Sequence, residues 1–308
     1  MYKLTLTLVI ITLLHFSLKS QVGINTSLPN EKSALDITST SKGLLPPRMT
    51  EAQRNEISDP IPAGLILWCT NCGTSGQMQV YNGTSWTDFA GNPASQAPFI
   101  CGSSSVTFEY KGVNVTYGTV IGANGTCWLD RNLGANRVAL SSNDTEAYGD
   151  LFQGGREDDG HQTRTSDVTQ TLATSNCPGH DDFIASTYDG STPPYSWSNP
   201  QDMNLWQGIN GVNNPCPTGF RLPTEPEFEA ERLSWGSNNL AGSFASPLKL
   251  PVTRYRNNAG DLWGGLTAIY WTSTVTNNTS IRTLNINTTS DWSNGYLGFG
   301  LGVRCIKD

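Results

Sequence analysis

The sequence predicts an α+β fold, in which a small β-rich N-terminal module precedes a large domain of short strands, one or two helices and long loops. The 308 residues are 37% hydrophobic and only 15% charged, and they include 31 glycines, a mixture typical of a folded, turn-rich chain. Short strand-like runs recur between Gly, Pro and Asn turn signals. Two capping boxes, Thr50-x-x-Gln53 and Thr224-x-x-Glu227, each predict the start of a helix.

Residues 1–20 have the pattern of a secretory signal peptide. Lys3 gives a charged start, Leu4–Leu14 form an apolar core too short to span a bilayer comfortably, and Ser20 is a small residue at the expected cleavage point. We therefore expect a secreted or outer-surface protein whose mature chain has no membrane span. The net charge of −7 and the lack of any basic run argue against nucleic acid as a partner.

Residues 21–97 are predicted to form a connector or stalk-like module that includes a linker. A short helix is expected from Glu51 to about Ile57, followed by strands in GLILWCT and QMQVYNGTSWTDF that turn at Asn82-Gly83. The segment GNPASQAP forms the linker to the next domain. Because so short a module buries little apolar surface, it must pack on the next domain or on copies of itself.

Residues 98–308 are predicted to form the second domain. VTFEY and VNVTYGTV form a hairpin that turns at Lys111-Gly112, and a third strand begins near CWLDRNLG. The polar stretch from 141 to 215 is expected to be a long, irregular region anchored by Phe183, Trp197 and Trp206. Four strands follow the second helix, and the last of them reaches the C-terminus.

The second predicted helix carries four glutamates: Glu225, Glu227, Glu229 and Glu231. A carboxylate pair that hydrolyses a glycosidic bond must face across a cleft, and side chains of one helix cannot do so. We therefore interpret these residues as the solvated face of a structural helix, with Glu227 as its cap.

Export would place the seven cysteines in an oxidising compartment, where disulfide bonds can form. A C-x-x-C pair without a second such pair or a helix start favours a local disulfide over a redox or zinc site. A second pair flanks the predicted hairpin, and a third would tie down the last strand. The predicted bonds are Cys69–Cys72, Cys101–Cys127 and Cys216–Cys305, which leave Cys177 unpaired.

Five segments of residues 101–308 resemble the Fibrobacter succinogenes major paralogous domain family of exported bacterial proteins. They are CWLDRNLGA, GDLFQGGREDDGHQTR, LWQGINGVNNPCPTGFRLPTEPEFEAE, YWTSTV and GVRCIKD, in that order. The resemblance implies a C-type-lectin-like fold, distantly akin to formylglycine-generating enzymes, without established catalytic activity. The oxidation chemistry of those enzymes needs a reactive cysteine pair, whereas Cys216 and Cys305 are interpreted here as a structural bond.

The segment from about residue 22 to 90 is similar to a leader common on Bacteroidetes surface proteins and phage-tail-fibre-like proteins. The similarity is carried by VGINTSLPNEKSALDITSTSKGLLPPRMTEAQRNEISDPIPAGLILW and MQVYNGTSWTDF. It implies a connector or stalk that forms a homo-oligomer, a trimer in this interpretation.

A metal site is one hypothesis for the two histidines of the mature chain, each of which lies beside a pair of aspartates. Imidazole and carboxylate groups suit Zn²⁺, and the carboxylates alone suit Ca²⁺. Hydrogen bonding within polar loops is the favoured alternative, because neither stretch is a known metal motif and the Glu-Pro-Asn and Gln-Pro-Asp triplets of calcium-dependent lectins are absent. No cofactor is expected, and Ca²⁺ is the open alternative. The candidate ligands are Asp158, Asp159, His161, His180 and Asp181, with Asp182 beside them.

A binding surface is the hypothesis for residues 274–298, where Asn, Ser and Thr surround a few aromatic residues. Adaptable hydrogen-bonding groups around rigid rings are typical of recognition surfaces, and rings also stack on sugar faces. The alternative is a solvated strand pair and its turn. The candidate binding residues are Trp292, Tyr296, Asn285, Asn287 and Asp291.

These observations favour a non-enzymatic recognition or adhesion protein that binds an extracellular glycan or a surface protein. One alternative is a hydrolase or metal-dependent enzyme with a site around His161 and His180. The other is a structural subunit of a surface assembly.

Overall fold

Two units make up the chain, Met1–Pro98 and Phe99–Asp308. The computed structural model describes residues 21–95, 98–186 and 195–308. The predicted signal peptide, two positions of the predicted linker (Gln96 and Ala97) and residues 187–194 of the long polar region lie outside the described residues.

The described residues of the first unit form a two-stranded parallel ribbon, a four-stranded sheet whose strands lie in chain order, and one short helix. The helix begins as predicted, because the Thr50 side chain accepts a hydrogen bond from the Gln53 amide and the Gln53 side chain accepts one from the Thr50 amide. Its elements are β1 (Val22–Ile24), β2 (Leu35–Ile37), β3 (Arg48–Met49), α1 (Glu51–Asn55), β4 (Ile66–Cys69), β5 (Gln77–Tyr81) and β6 (Trp86–Thr87).

The hydrophobic core of the first unit is small. Leu67, Cys69 and Cys72 are its buried apolar residues, and Cys69 and Cys72 form a disulfide bond. Met49, Ile57 and Trp86 pack against them. So small a core stabilises the four-stranded sheet only modestly.

The described residues of the second unit contain most of the strands, which are from 2 to 10 residues long, and two α-helices. The predicted hairpin is confirmed: Lys111 and Gly112 both have positive φ, 51° and 75°, as a tight two-residue hairpin turn requires. The elements are β7 (Ser105–Tyr110), β8 (Val113–Ile121), β9 (Cys127–Leu129), β10 (Phe152–Gln153), β11 (Val168–Thr169), β12 (Phe183–Ile184), β13 (Phe220–Arg221), α2 (Glu225–Leu233), α3 (Leu240–Ala245), β14 (Tyr255–Arg256), β15 (Leu262–Trp263), β16 (Ala268–Asn277), β17 (Ser280–Ile286), β18 (Ser290–Tyr296), β19 (Gly300–Leu301) and β20 (Ile306–Lys307). Single 3-10 turns lie at Ala123–Gly125 and Thr145–Ala147.

The strands of the second unit form several small sheets. The largest has the order β13-β20-β9-β8-β7, so the terminal strand β20 lies between two earlier strands. A second sheet has the order β10-β19-β14-β15, a third is the antiparallel meander β16-β17-β18, and β11 pairs with β12 in parallel. The long polar region is held by its predicted anchors, since Phe183, Trp197 and Trp206 are all buried.

The predicted α+β, C-type-lectin-like fold class is wrong. The described residues are β-rich, and their α-helices are only 5, 9 and 6 residues long. A capping box fixes where a helix begins and says nothing about its length. The two helices of the second unit end after 9 and 6 residues, with Ser234 and Ser246 as their C-caps, and neither forms a layer that could cover a sheet.

Three disulfide bonds brace the chain, and they join the pairs that the sequence predicts. Cys101–Cys127 and Cys216–Cys305 lie in the second unit, with sequence separations of 26 and 89 residues. Cys177 is free and exposed.

Candidate functional site

A groove lies beside the three-stranded meander of the second unit. Within the meander, Thr283 pairs with Ser293 and Asn285 with Asp291, whereas Leu284 pairs with Trp292. Because side chains alternate along a strand, the polar pairs lie on one face and the Leu284–Trp292 pair on the other. The polar face forms one wall of the groove.

The groove has a volume of about 310 Å³, near the lower limit of small-ligand pockets. It draws residues from two sheets, because β14 and β19 of a neighbouring sheet supply the wall opposite the meander. Among the described residues that line it, the only side chains that titrate are tyrosines. The lining residues are Tyr255, Ile269, Thr283, Asn285, Ser293, Asn294, Gly295, Tyr296, Phe299 and Leu301.

Aromatic rings cluster at one end of the groove. Tyr296 and Phe299 are stacked, with ring centroids 6.5 Å apart and an angle of 28° between the planes. Tyr255 lies 6.5 Å from Phe299 on one side, and Tyr195 lies 5.3 Å from Tyr296 on the other. Each ring is braced by a neighbour, so the cluster offers a rigid apolar surface with phenol groups at its edge.

The polar wall is preorganised by side-chain hydrogen bonds. The hydroxyls of Thr283 and Ser293 share one at 2.9 Å, and the Asn285 amide nitrogen donates to the Ser293 hydroxyl. Asn294 accepts a hydrogen bond of 3.2 Å from Arg282. The groove therefore combines stacking with neutral hydrogen bonding, and its described lining contains no carboxylate–imidazole pair for acid–base chemistry.

Two of the five predicted binding residues line this groove, Asn285 and Tyr296. Asn287 lies at the turn between β17 and β18, where its side chain accepts a hydrogen bond of 3.0 Å from the Thr289 amide. Asp291 is exposed and accepts one from the Thr289 hydroxyl.

Trp292 faces away from the groove. Its indole nitrogen donates to Glu229 Oε2 at 2.7 Å, so the ring lies between the meander and helix α2. Sequence reasoning missed Tyr255 and Phe299, which lie outside the meander. For Phe299 the signal available in the sequence was the recurrence of Tyr and Phe in YLGFG, which begins at the last residue of β18.

The prediction that the α2 glutamates form a solvated face is wrong. Glu231 is fully buried and accepts a hydrogen bond of 2.7 Å from the Ala123 amide. Glu225 pairs with Arg282 of the meander at 2.9 Å, and Glu229 binds Trp292. The helix thus uses its carboxylates to attach itself to the meander and to the 3-10 turn at Ala123–Gly125.

Glu227 is the cap that the sequence predicts, and it also binds Arg221 at 2.8 Å. The hydrogen bonds from Arg221 lower the pKa of Glu227 to about 2, with further lowering by the Thr224 amide. Arg221 in turn binds Asp308, the last residue, at 2.6 Å.

The five predicted metal ligands are brought only partly together. Asp158, Asp159 and Asp181 line a concave surface of about 520 Å³ that also includes Lys111. Burial raises the pKa of Asp158 to about 6. Nowhere in the described part of the chain do three His, Cys, Asp or Glu side chains converge closely enough to hold a metal ion.

His161 is occupied by the protein itself. Its ring is fully buried, with Nδ1 2.6 Å from Asp159 Oδ1 and Nε2 accepting a hydrogen bond of 3.0 Å from the Gln153 amide. His180 is a third exposed and accepts a hydrogen bond from the Asp182 amide. Both ring nitrogens of His161 are therefore engaged, and His180 lies in no group of ligands that could hold a metal ion among the described residues.

The burial of His161 predicts a pH effect on stability. Desolvation lowers its pKa to about 4, below the value of about 6.5 in the unfolded chain. Neutral His161 therefore contributes stability above about pH 6.5, and this contribution is lost as the pH falls towards 4, by on the order of 3 kcal/mol. His161→Gln should flatten the pH dependence of the free energy of unfolding in this range. His180→Gln is the control, and equal slopes in the two variants would contradict the prediction.

Comparison with known families finds one similarity, which covers most of the first unit and the first residues of the second. Residues 23–106 match the family model described as a phage tail like trimerisation region. No curated protein and no solved structure matches the chain. Throughout the described ranges, no helix has both the length and the apolar character that crossing a bilayer requires. The match agrees with the predicted tail-fibre-like leader and supports its trimeric association, and the lectin resemblance of the second unit gains no support.

Proposed function

We propose that the protein is a non-enzymatic subunit of a surface assembly, trimeric through its first unit, whose second unit binds an extracellular glycan in the aromatic groove. Secretion to the outer surface is part of this proposal. The proposal also keeps the resemblance of residues 101–308 to the major paralogous domain family of exported proteins. It does not keep the C-type-lectin-like fold that this resemblance implied.

The observation that carries the glycan proposal is the composition of the groove. Stacked rings of Tyr296 and Phe299 offer apolar faces to the C–H side of a sugar, and Asn285, Ser293 and Thr283 offer donors and acceptors to its hydroxyls. Because these polar groups are neutral, the groove favours a neutral ligand. The same composition supports binding over hydrolysis, which needs two carboxylates across the bond.

Trimerisation would strengthen such binding. A single groove of about 310 Å³ covers a small ligand and gives modest affinity. Three linked grooves that engage one surface raise the apparent affinity by orders of magnitude without any new contact.

Replacing Tyr296 by alanine should weaken glycan binding about tenfold, because it removes the stacking ring and unbraces Phe299. Glycan-array screening of the full-length protein identifies a ligand, and calorimetric titration of that ligand measures the change. Binding should persist in the presence of a chelator, since no carboxylate lines the described groove.

Phe89→Ala is the matched control, because Phe89 is 63% exposed and lies in the first unit. Equal affinity of Tyr296→Ala and the wild type would remove the groove from the function. If the protein bound a surface protein and no glycan, the proposed ligand would be a protein and not a glycan.

A purely architectural subunit is the second candidate, favoured by the match to a trimerisation region. It predicts a trimer in light scattering without any glycan on the array. The enzymatic alternative around His161 and His180 has less support, because both nitrogens of the buried His161 ring are engaged within the protein.

A further inference from the structure

The β1–β2 ribbon of the first unit has two unlike faces. Its strands are parallel, and the central pair is Gly23 with Asp36. The flanking pairs are both apolar and, because side chains alternate along each strand, they share the face opposite that central pair. The flanking residues are Val22, Ile24, Leu35 and Ile37.

The face of the central pair is partly covered by the turn that follows β1. A Cβ at Gly23 would lie 2.5 Å from the Thr26 carbonyl oxygen and 2.9 Å from Pro29, so the turn that follows β1 is pressed against this position. Asp36 accepts a hydrogen bond of 2.8 Å from the Asn30 amide and holds the same turn. Only glycine fits at position 23, because the turn occupies the space that a side chain there would need.

The apolar face is bare. Val22, Ile24, Leu35 and Ile37 are 57%, 50%, 49% and 37% exposed. Leu44 and Leu45, at 72% and 67%, continue the apolar surface, and with Ile24 and Ile37 they line a concavity of about 480 Å³. No side chain from residue 21 to residue 53 is buried.

Such a ribbon needs a partner to be stable. An isolated two-stranded sheet is at best marginally stable in water, and parallel strands are normally covered on both faces. A contiguous exposed set of Val, Ile and Leu is also rare on a monomer and marks an interface. The match of residues 23–106 to a trimerisation region indicates that the partners are copies of the same chain.

We propose that the apolar face of the β1–β2 ribbon, together with Leu44 and Leu45, is the surface through which three copies of the chain associate. The three ribbons turn this face towards a common axis, and each covers the side chains of its neighbours. This inference rests on the trimeric part of the proposed function and is independent of the glycan-binding part.

Ile24→Asp combined with Ile37→Asp should convert the trimer into a monomer, because the charged groups would be desolvated against one another at the axis. Light scattering of the full-length protein over a range of concentrations measures the change as a threefold loss of mass. Val212→Asp, at a 77% exposed position in the second unit, is the control and should remain trimeric.

A trimeric double variant would overturn the assignment of this surface and leave the trimer itself in place. A monomeric wild type would overturn both the trimer and this surface. Glycan binding by the monomeric double variant to a single immobilised ligand should be unchanged, which separates this result from a failure of the groove.

Cross-linking tests the surface without disrupting it. In a Cys177→Ser background, Ile37→Cys should form disulfide-linked dimers under mild oxidation, since equivalent residues approach one another at the axis. Val212→Cys in the same background should not. Absence of cross-linking at position 37 in a trimeric sample would contradict the proposed face.

Discussion

Replacing both Cys216 and Cys305 by alanine is expected to lower the free energy of unfolding of the second unit by about 4–5 kcal/mol. The bond closes a loop with a sequence separation of 89 residues, and it therefore removes a large amount of conformational entropy from the unfolded chain. It also anchors the residue that directly precedes β20, the strand that lies between β13 and β9. Urea denaturation without reductant, followed by tryptophan fluorescence, measures the loss.

Two controls separate the loop effect from the chemistry of cysteine. Cys177→Ser should leave the free energy of unfolding nearly unchanged, because Cys177 is free and exposed. Loss of Cys69–Cys72, with a separation of 3 residues, should cost only about 2 kcal/mol in the first unit. If the Cys216–Cys305 variant lost no more than the Cys69–Cys72 variant, loop closure would not be the source of stability.

Replacing Arg304 by methionine is expected to destabilise the second unit by about 3–5 kcal/mol. The guanidinium is buried, with 1% of the residue exposed, and it donates to Asn132 Oδ1 through Nε at 3.1 Å and Nη2 at 2.9 Å. It also donates to the carbonyl oxygens of Leu129 and Leu248, at 3.3 and 2.8 Å. Methionine would leave these buried acceptors without donors.

The planar fork of Arg304 is what the site requires, so Arg304→Lys should restore only a small part of the lost stability. Arg137→Met is the control, because the Arg137 side chain is 51% exposed and its loss should matter little. Thermal unfolding of the three variants at neutral pH ranks them. A stability of Arg304→Met within 1 kcal/mol of the wild type would contradict the role of this buried network.

Local signals in the sequence were sufficient for several features. Thr50 and Thr224 predicted the starts of helices, and the Lys111-Gly112 turn predicted a hairpin, because caps and tight turns depend on a few neighbouring residues. The cysteine pairs followed from spacing and export. Local signals could not give helix length or layer architecture, and the α+β prediction failed for that reason.

The α2 glutamates show the limit of helix periodicity. Glu231 lies on the same short helix as the exposed Leu233, yet Glu231 is buried against Ala123. Its partner is a backbone amide that lies 108 residues away in sequence, and no local pattern predicts such a contact. The same holds for Trp292, which was expected to bind a ligand and binds Glu229.

The candidate groove was predicted in part. The polar, aromatic composition of the meander pointed to Asn285 and Tyr296, because both lie on strands whose pattern is visible in the sequence. Tyr255 lies on β14, and Phe299 directly precedes β19. These two strands pair across a long sequence distance, so the place of both rings in the groove depends on the tertiary fold.

The sequence by itself determined the elements that short-range forces control: helix caps, tight turns, the cysteine framework and a leader of tail-fibre character. Only the tertiary structure decided which carboxylates are buried, which aromatic rings meet in the groove and which face of the β1–β2 ribbon is left bare. These outcomes depend on burial and on pairs of groups that are distant in sequence. Such groups interact only when the folded chain brings them into contact.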